Sequence, residues 1–190
     1  MKITNIQEKI LSKYWKQLKL FTYQYHSSKG EVYQQKREVY DKGDGAAVLL
    51  YNPYTQKVLL TQQFRMPAYM NGVEDGLVVE VPAGMLDQDD PEKCILKEIY
   101  EETGYQVRNV TPVFDCFMTP GAVTEITYFF IAEYNDSMKV NAGGGLKEEQ
   151  EDLLVFEIDY AQIKKMIRNN EVKDAKTLIL FQYAYLHNII

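Results

Sequence analysis

The chain has 190 residues, of which 46% are apolar and 13% aromatic, and a formal net charge of -6. That composition supports one good-sized core, and an acidic balance without a long Lys/Arg run argues against a nucleic-acid or anionic-membrane surface. Two cysteines, Cys94 and Cys116, are too few for a disulfide framework, the N-terminus has no apolar signal region, and no run approaches the roughly 18 apolar residues of a membrane span. The expectation is a cytoplasmic protein whose phosphate-bearing partner, if it has one, is small or reaches it through a metal.

The first readable elements are "LKLFTYQYH" and "EVYQQKREVYD", β-branched and aromatic runs split by the turn signal "SSKG", which predict a hairpin. After the loop "DKGDG", "AAVLLY" and "KVLLTQQF" predict a second hairpin around "NPYTQ", and "LVVEVPAG" a short buried strand ending at Pro82 and Gly84. A helix over about 91–103 follows, with Asp90 as N-cap, Pro91 at the first helical position and Gly104 just past the end. "VTPVFDCFMT", "TEITYFFIAEY" and "LLVFEI" read as strands, and "YAQIKKMIRN" and "DAKTLILFQYAYLH" as closing helices. Before "LLVFEI", "NAGGGLKEEQED" reads as a long polar loop, often a functional feature in a compact domain.

The order predicts an α+β domain, a mixed β-sheet sandwiched between helices, with an N-terminal β-hairpin subdomain. We place a β-rich dimerisation segment at 1–43 and the main domain at 44–190. An isolated aromatic-rich hairpin is marginal alone and needs a surface, which two-fold pairing commonly provides.

The segment that carries chemistry is "KEIYEETGY". Glu98, Glu101 and Glu102 fall on neighbouring helical positions, where each like-charge pair costs roughly 0.2–0.5 kcal/mol. Glu98 and Glu102, one turn apart, can present two carboxylates to a hard cation such as Mg²⁺, which favours oxygen ligands. Taken with the loop before it, "PAGMLDQDDPEKCILKEIYEETGY" resembles the Nudix box. Gly84, Glu98, Ile99, Glu101, Glu102, Gly104 and Tyr105 match its pattern, while Lys97 stands for the usual Arg and Asp90 for the first Glu, with six rather than seven residues between these two. The resemblance implies the Nudix fold and a Mg²⁺ site, with Mn²⁺ as a possible substitute. Its ligands would be Glu98, Glu102 and the carbonyl of Ala83, with Glu101 alongside in a catalytic role.

Other segments, "KREVYD", "QFR", "TPGAVTE", "NAGGG" and "DAKT", are similar to those of bacterial GDP-mannose hydrolases, a branch of the ADP-sugar pyrophosphatase group. That similarity implies hydrolysis of GDP-mannose to GMP and mannose 1-phosphate by a homodimer with shared active sites. By this resemblance Trp15 stacks on a base bound by the partner, Lys36, Arg37 and Glu38 contact the nucleotide, and Arg65 faces the diphosphate or sugar. Gly84 and Met85 line the substrate, and Glu125 and Lys176 lie near sugar and phosphates. A loop glutamate, Glu151 by alignment with Glu149 as second choice, binds metal and activates water. Two alternatives stay open at this point: an ADP-ribose or ADP-sugar pyrophosphatase, and a Nudix module that binds a nucleotide sugar without turnover.

Overall fold

The computed structural model describes residues 1–87 and 89–190; Gln88, in the loop before the acidic helix, lies outside the described residues. The chain divides into two units, Met1–Asp44 with Cys116–Ile126, and Gly45–Asp115 with Thr127–Ile190.

The first unit is built on a three-stranded antiparallel sheet in the order β1 (Lys2–Lys13), β2 (Gln17–His26), β3 (Val32–Asp41). The expected hairpin is β2–β3, and β1 is an addition to it. Two register shifts, at Thr4/Gln7 and Ile10/Ser12, break the alternation of β1, so its apolar residues do not repeat every second position. Ile3, Ile6 and Ile10 are about half exposed.

The second unit is a seven-stranded mixed sheet: β4 (Gly45–Asn52), β5 (Lys57–Phe64), β6 (Leu77–Glu80), β7 (Ala83–Met85), β8 (Thr111–Phe117), β9 (Ile126–Glu133) and β10 (Leu154–Asp159). The main path runs β10-β5-β4-β9-β8, with β4 and β9 parallel. Four helices accompany it, α1 (Met66–Met70), α2 (Pro91–Glu98), α3 (Tyr160–Arg168) and α4 (Ala175–Leu186). No helix among the described residues is long and apolar enough to cross a membrane.

β4 is buried along nearly its whole length because both its faces are covered. Ala46, Val48 and Leu50 pack in one cluster with Cys94 and Ile95 of α2 and with Ile99. The intervening Ala47 and Leu49 point to the opposite face, where α4 crosses β4 and buries Leu180, Phe181 and Ala184.

The stretch "LVVEVPAG" forms two strands rather than one. β6 pairs with β5 through Glu80, and β7 pairs with β4 from Ala83 onward. Pro82 falls between them, where its missing N–H costs no ladder bond and its carbonyl still accepts from Val48 N. This fork, Glu80 to Met85, positions everything described next.

Candidate active site

Helix α2 starts as its sequence dictates. The Asp90 carboxylate accepts from Glu92 N at 3.0 Å, and Pro91 occupies the first turn. The helix does not stay regular. After Glu98 the chain continues as a π turn, Ile99–Thr103, and stops at Gly104, whose φ of 77° suits glycine. A wider turn at this point carries Glu101 and Glu102, and such turns concentrate at functional sites.

Glu98 and Glu102 both lean on the fork. Ala83 N donates to Glu102 Oε2 at 3.1 Å. A Cβ on Gly84 would lie 2.0 Å from Glu98 Oε1, so only glycine lets that carboxylate approach the backbone. Met85 contributes its carbonyl, which accepts from Cys94 Sγ at 3.4 Å. Burial pushes the Glu98 carboxyl up to about 7, helped by the charges of Glu101, Glu151 and Glu149. Glu102, 4% exposed, is raised well above the carboxylate range by burial and then by Glu98, with Glu151 and Glu80 adding to the effect. Lys97 pairs with Glu101 at 3.6 Å, and its charge offsets only part of the rise at Glu98.

The Gly-rich loop is tied to the same helix. Gly144 N donates to Glu102 O at 2.7 Å and Gly145 N to Glu101 O at 3.1 Å, so the loop caps carbonyls that the helix end leaves open. Gly143, Gly144 and Gly145 all have positive φ, and a Cβ on Gly143 would stand 2.5 Å from Glu102 O. The loop then places Glu151 with one oxygen accepting from Leu146 N at 3.0 Å. Glu149 sits exposed on a 3-10 turn, Lys147–Glu149. Both glutamates act on Glu98, but only Glu151 is among the charges acting on Glu102 as well.

On the other side of the fork lies a second charge cluster. Glu80 is 4% exposed and accepts a two-pronged contact from Arg65, Nε to Oε1 at 2.7 Å and Nη2 to Oε2 at 2.9 Å. Lys176 Nζ donates to Glu80 Oε2 at 3.2 Å and to Asp174 Oδ1 at 2.7 Å. Asp174 caps α4 by accepting from Thr177 N with its other oxygen, and Thr177 Oγ1 in turn accepts from Val81 N. Burial works against the Lys176 ammonium, yet Glu80 and Asp174 outweigh it and raise its pKa. Glu80 was missed in the sequence. Its signal was a charged residue inside the apolar strand "LVVEV", which needs a buried partner.

Five expected residues belong to the first unit and are described within it. Trp15 is 65% exposed at the bend between β1 and β2. Lys36, Arg37 and Glu38 are exposed on β3, opposite Thr22, Phe21 and Leu20. Glu125 is mostly buried and paired with Lys42 at 2.6 Å, a cation the sequence did not single out. A surface cavity of about 560 Å³ lined by Arg108, Glu133, Ser137 and Met138 includes none of the expected site residues.

An acidic helix leaning on a Gly turn, a Gly-rich loop carrying a further acid, and a fork holding two cations together define a hydrolase site for phosphate anhydrides. A family model of the NUDIX domain matches residues 41–178, and the chain belongs to the Nudix family. A second model, described as the GDP-mannose pyrophosphatase NudK N-terminal domain, matches residues 2–40. Relatives named GDP-mannose pyrophosphatase are similar along the whole chain. The protein of Citrobacter koseri is 47% identical over 100% of this chain and 98% of its own, and that of Enterobacter sp. 48% over the same shares. That of Escherichia coli O157:H7 is 47% identical over 99% of this chain and 97% of its own.

Nudix hydrolases work with a divalent metal ion, and the residues here fit one. Among the described residues no three acids are drawn tightly enough to enclose an ion by themselves. What the site does hold is a half-buried and a buried carboxyl with raised pKa values, facing a third acid and, among the described residues, in no salt bridge of their own. All are hard oxygen donors, the set that suits an ion which keeps water and substrate oxygens in its shell.

Proposed function

We propose that the protein hydrolyses the diphosphate bond of GDP-mannose, releasing GMP and mannose 1-phosphate. The observation that carries the substrate is the match of residues 2–40, outside the NUDIX domain, to a GDP-mannose pyrophosphatase segment, joined to full-length similarity to enzymes of that name. The chemistry rests on the acids around the fork.

Glu98, Glu102, the Ala83 carbonyl and Glu151 would hold Mg²⁺, or Mn²⁺ in its place. A bound ion of this kind neutralises diphosphate oxygens and lowers the pKa of a bound water. Glu151 takes the proton of the attacking water as its oxygen bonds to one phosphorus, and the bridging P–O bond breaks with its electrons on the leaving phosphate. Glu151 is preferred to Glu149 because its carboxylate is fixed by Leu146 N and felt by both Glu98 and Glu102. Glu101, paired with Lys97, supports the loop through its carbonyl contact with Gly145. Arg65 and Lys176 bind the phosphates, Gly84 and Met85 line them, and Glu125 meets the sugar.

The nucleotide falls to Lys36, Arg37, Glu38 and Trp15, the last reaching in from the partner of a homodimer built through residues 1–43. Supporting the dimer are the exposed Ile3, Ile6, Trp15, Val32 and Tyr33 of that segment. Mixing Trp15→Ala chains with Glu102→Gln chains tests it: a shared site regains activity because one hybrid site is wholly wild type. A monomer by light scattering, or no recovery from subunits that exchange, removes the shared site.

The function itself is tested by turnover on a nucleotide-sugar panel with Mg²⁺. GDP-mannose should be the preferred substrate, with GMP and mannose 1-phosphate as products. Faster hydrolysis of ADP-ribose, or binding without turnover, would replace the proposal.

A further inference from the structure

The acids of the Nudix box leave the second charge cluster unexplained. Stability alone does not account for a glutamate buried between Val79 and Val81, since a buried ion pair can often be replaced by apolar side chains without loss. What Glu80 does accomplish is geometric. It draws together one cation from the end of β5, 15 residues earlier in sequence, and one from the first turn of α4, 96 residues later. Of the five N–H groups of a guanidinium, Glu80 engages two of Arg65, and the other three meet no protein acceptor among the described residues. Lys176 likewise has one N–H left after Glu80 and Asp174. Both cations are therefore held by one side of their donor sets and keep the rest available.

We propose that Glu80 is a positioning residue which fixes Arg65 and Lys176 as a paired anion clamp for the phosphates of the substrate. The inference rests on the assignment of those two cations to the phosphates. Arg and Lys are long and rotamer-rich, and fixing them before substrate arrives removes an ordering cost from binding. The fork supplies the rigidity. Val81 N is anchored to Thr177 Oγ1, so the strand bearing Glu80 and the helix bearing Lys176 are joined at adjacent residues. Because the clamp acts on binding, its loss should appear in KM.

The test measures KM and kcat for GDP-mannose with Mg²⁺ in Arg65→Ala, Arg65→Lys, Glu80→Gln and the double variant Glu80→Gln/Arg65→Ala. Arg65→Ala should raise KM about tenfold or more, with kcat changed much less. Arg65→Lys keeps the charge but loses the fork, so its KM should rise nearly as far; a wild-type KM there overturns the proposal. This arm involves a side chain 44% exposed and decides the matter even if Glu80→Gln does not fold. Where it folds, Glu80→Gln should raise KM, and should add much less to KM once Arg65 is already Ala. An equal multiplication of KM in both backgrounds marks general damage and overturns it. If Arg65→Ala alone leaves KM unchanged, the assignment of Arg65 to the phosphates fails and the clamp with it. A raised KM in Arg65→Ala beside normal values in Arg65→Lys and Glu80→Gln removes the role of Glu80 alone.

Discussion

The acid pair Glu98–Glu102 and the ion cluster around Glu80 attach to the same strand fork, and they differ in how their charge is matched. Around Glu80 two carboxylates meet two cations, with contacts between 2.7 and 3.2 Å. Around Glu102 the hydrogen-bond partner is an Ala83 N–H and the neighbours are mostly carboxylates, with Arg65 and Lys97 acting on the pair without a direct contact, and the two pKa values rise. A matched cluster holds its members in place. An unmatched one calls for a positive charge from outside, and this is how the fold marks where a metal and a diphosphate enter.

The contrast can be broken first at the loop that completes the unmatched cluster. Glu151→Gln should lower kcat by about 10²–10⁴ if it is the base, with little change in KM. A larger loss from Glu149→Gln beside a harmless Glu151→Gln would move the role to the exposed glutamate. A somewhat smaller effect is expected from the tether. Gly143→Ala drives a Cβ against the Glu102 carbonyl and strains a φ of 69°, so the loop must shift. Misplacement by about 1 Å can cost up to about 100-fold in rate. Gly121→Ala, in open space, is the control and should be neutral. Equal rates for the two alanines would separate the glycine loop from catalysis.

The smallest effect is one of pH. Glu98 in the folded protein titrates at about 7, above the ordinary 4.5. Between these values the folded state keeps a proton that the unfolded chain has released, so this group favours folding fully below about 4.5, and the benefit fades as pH rises through 7. Metal-free wild type should therefore lose stability relative to Glu98→Gln as pH rises from about 5 to 8, by a few degrees in Tm. A difference that stays constant with pH would deny the raised pKa.

Much of this was legible in the sequence. Gly84, Glu98, Glu102 and Gly104 carry their spacing in one continuous segment, and Asp90 and Asp174 announce their caps locally. Strand β1 was not legible, because two bulges erase the alternation by which strands are read. Glu80 was hidden for another reason: its meaning lies in partners far away in sequence, which no local pattern joins to it. The π turn after Glu98 was read simply as more helix, since residues Ile99–Thr103 have nothing in their composition that distinguishes a wider turn. The three glycines were legible as a loop, yet not as the cap that ties Glu151 to the acidic helix, because that contact is made by backbone groups.

The most direct measurement applies one substitution to both clusters and follows thermal unfolding at pH 8 with and without Mg²⁺. Without metal, Glu80→Gln should fall below wild type by about 2 kcal/mol, roughly 4–8 °C, because it removes the buried charge that holds two partly exposed cations. Glu102→Gln should stay level or rise, because it removes an unmatched charge. Added Mg²⁺ should raise the Tm of wild type and not that of Glu102→Gln. Loss of stability in metal-free Glu102→Gln comparable to that in Glu80→Gln, or an equal response of Glu102→Gln and wild type to Mg²⁺, would contradict the assignment of the unmatched cluster to the metal.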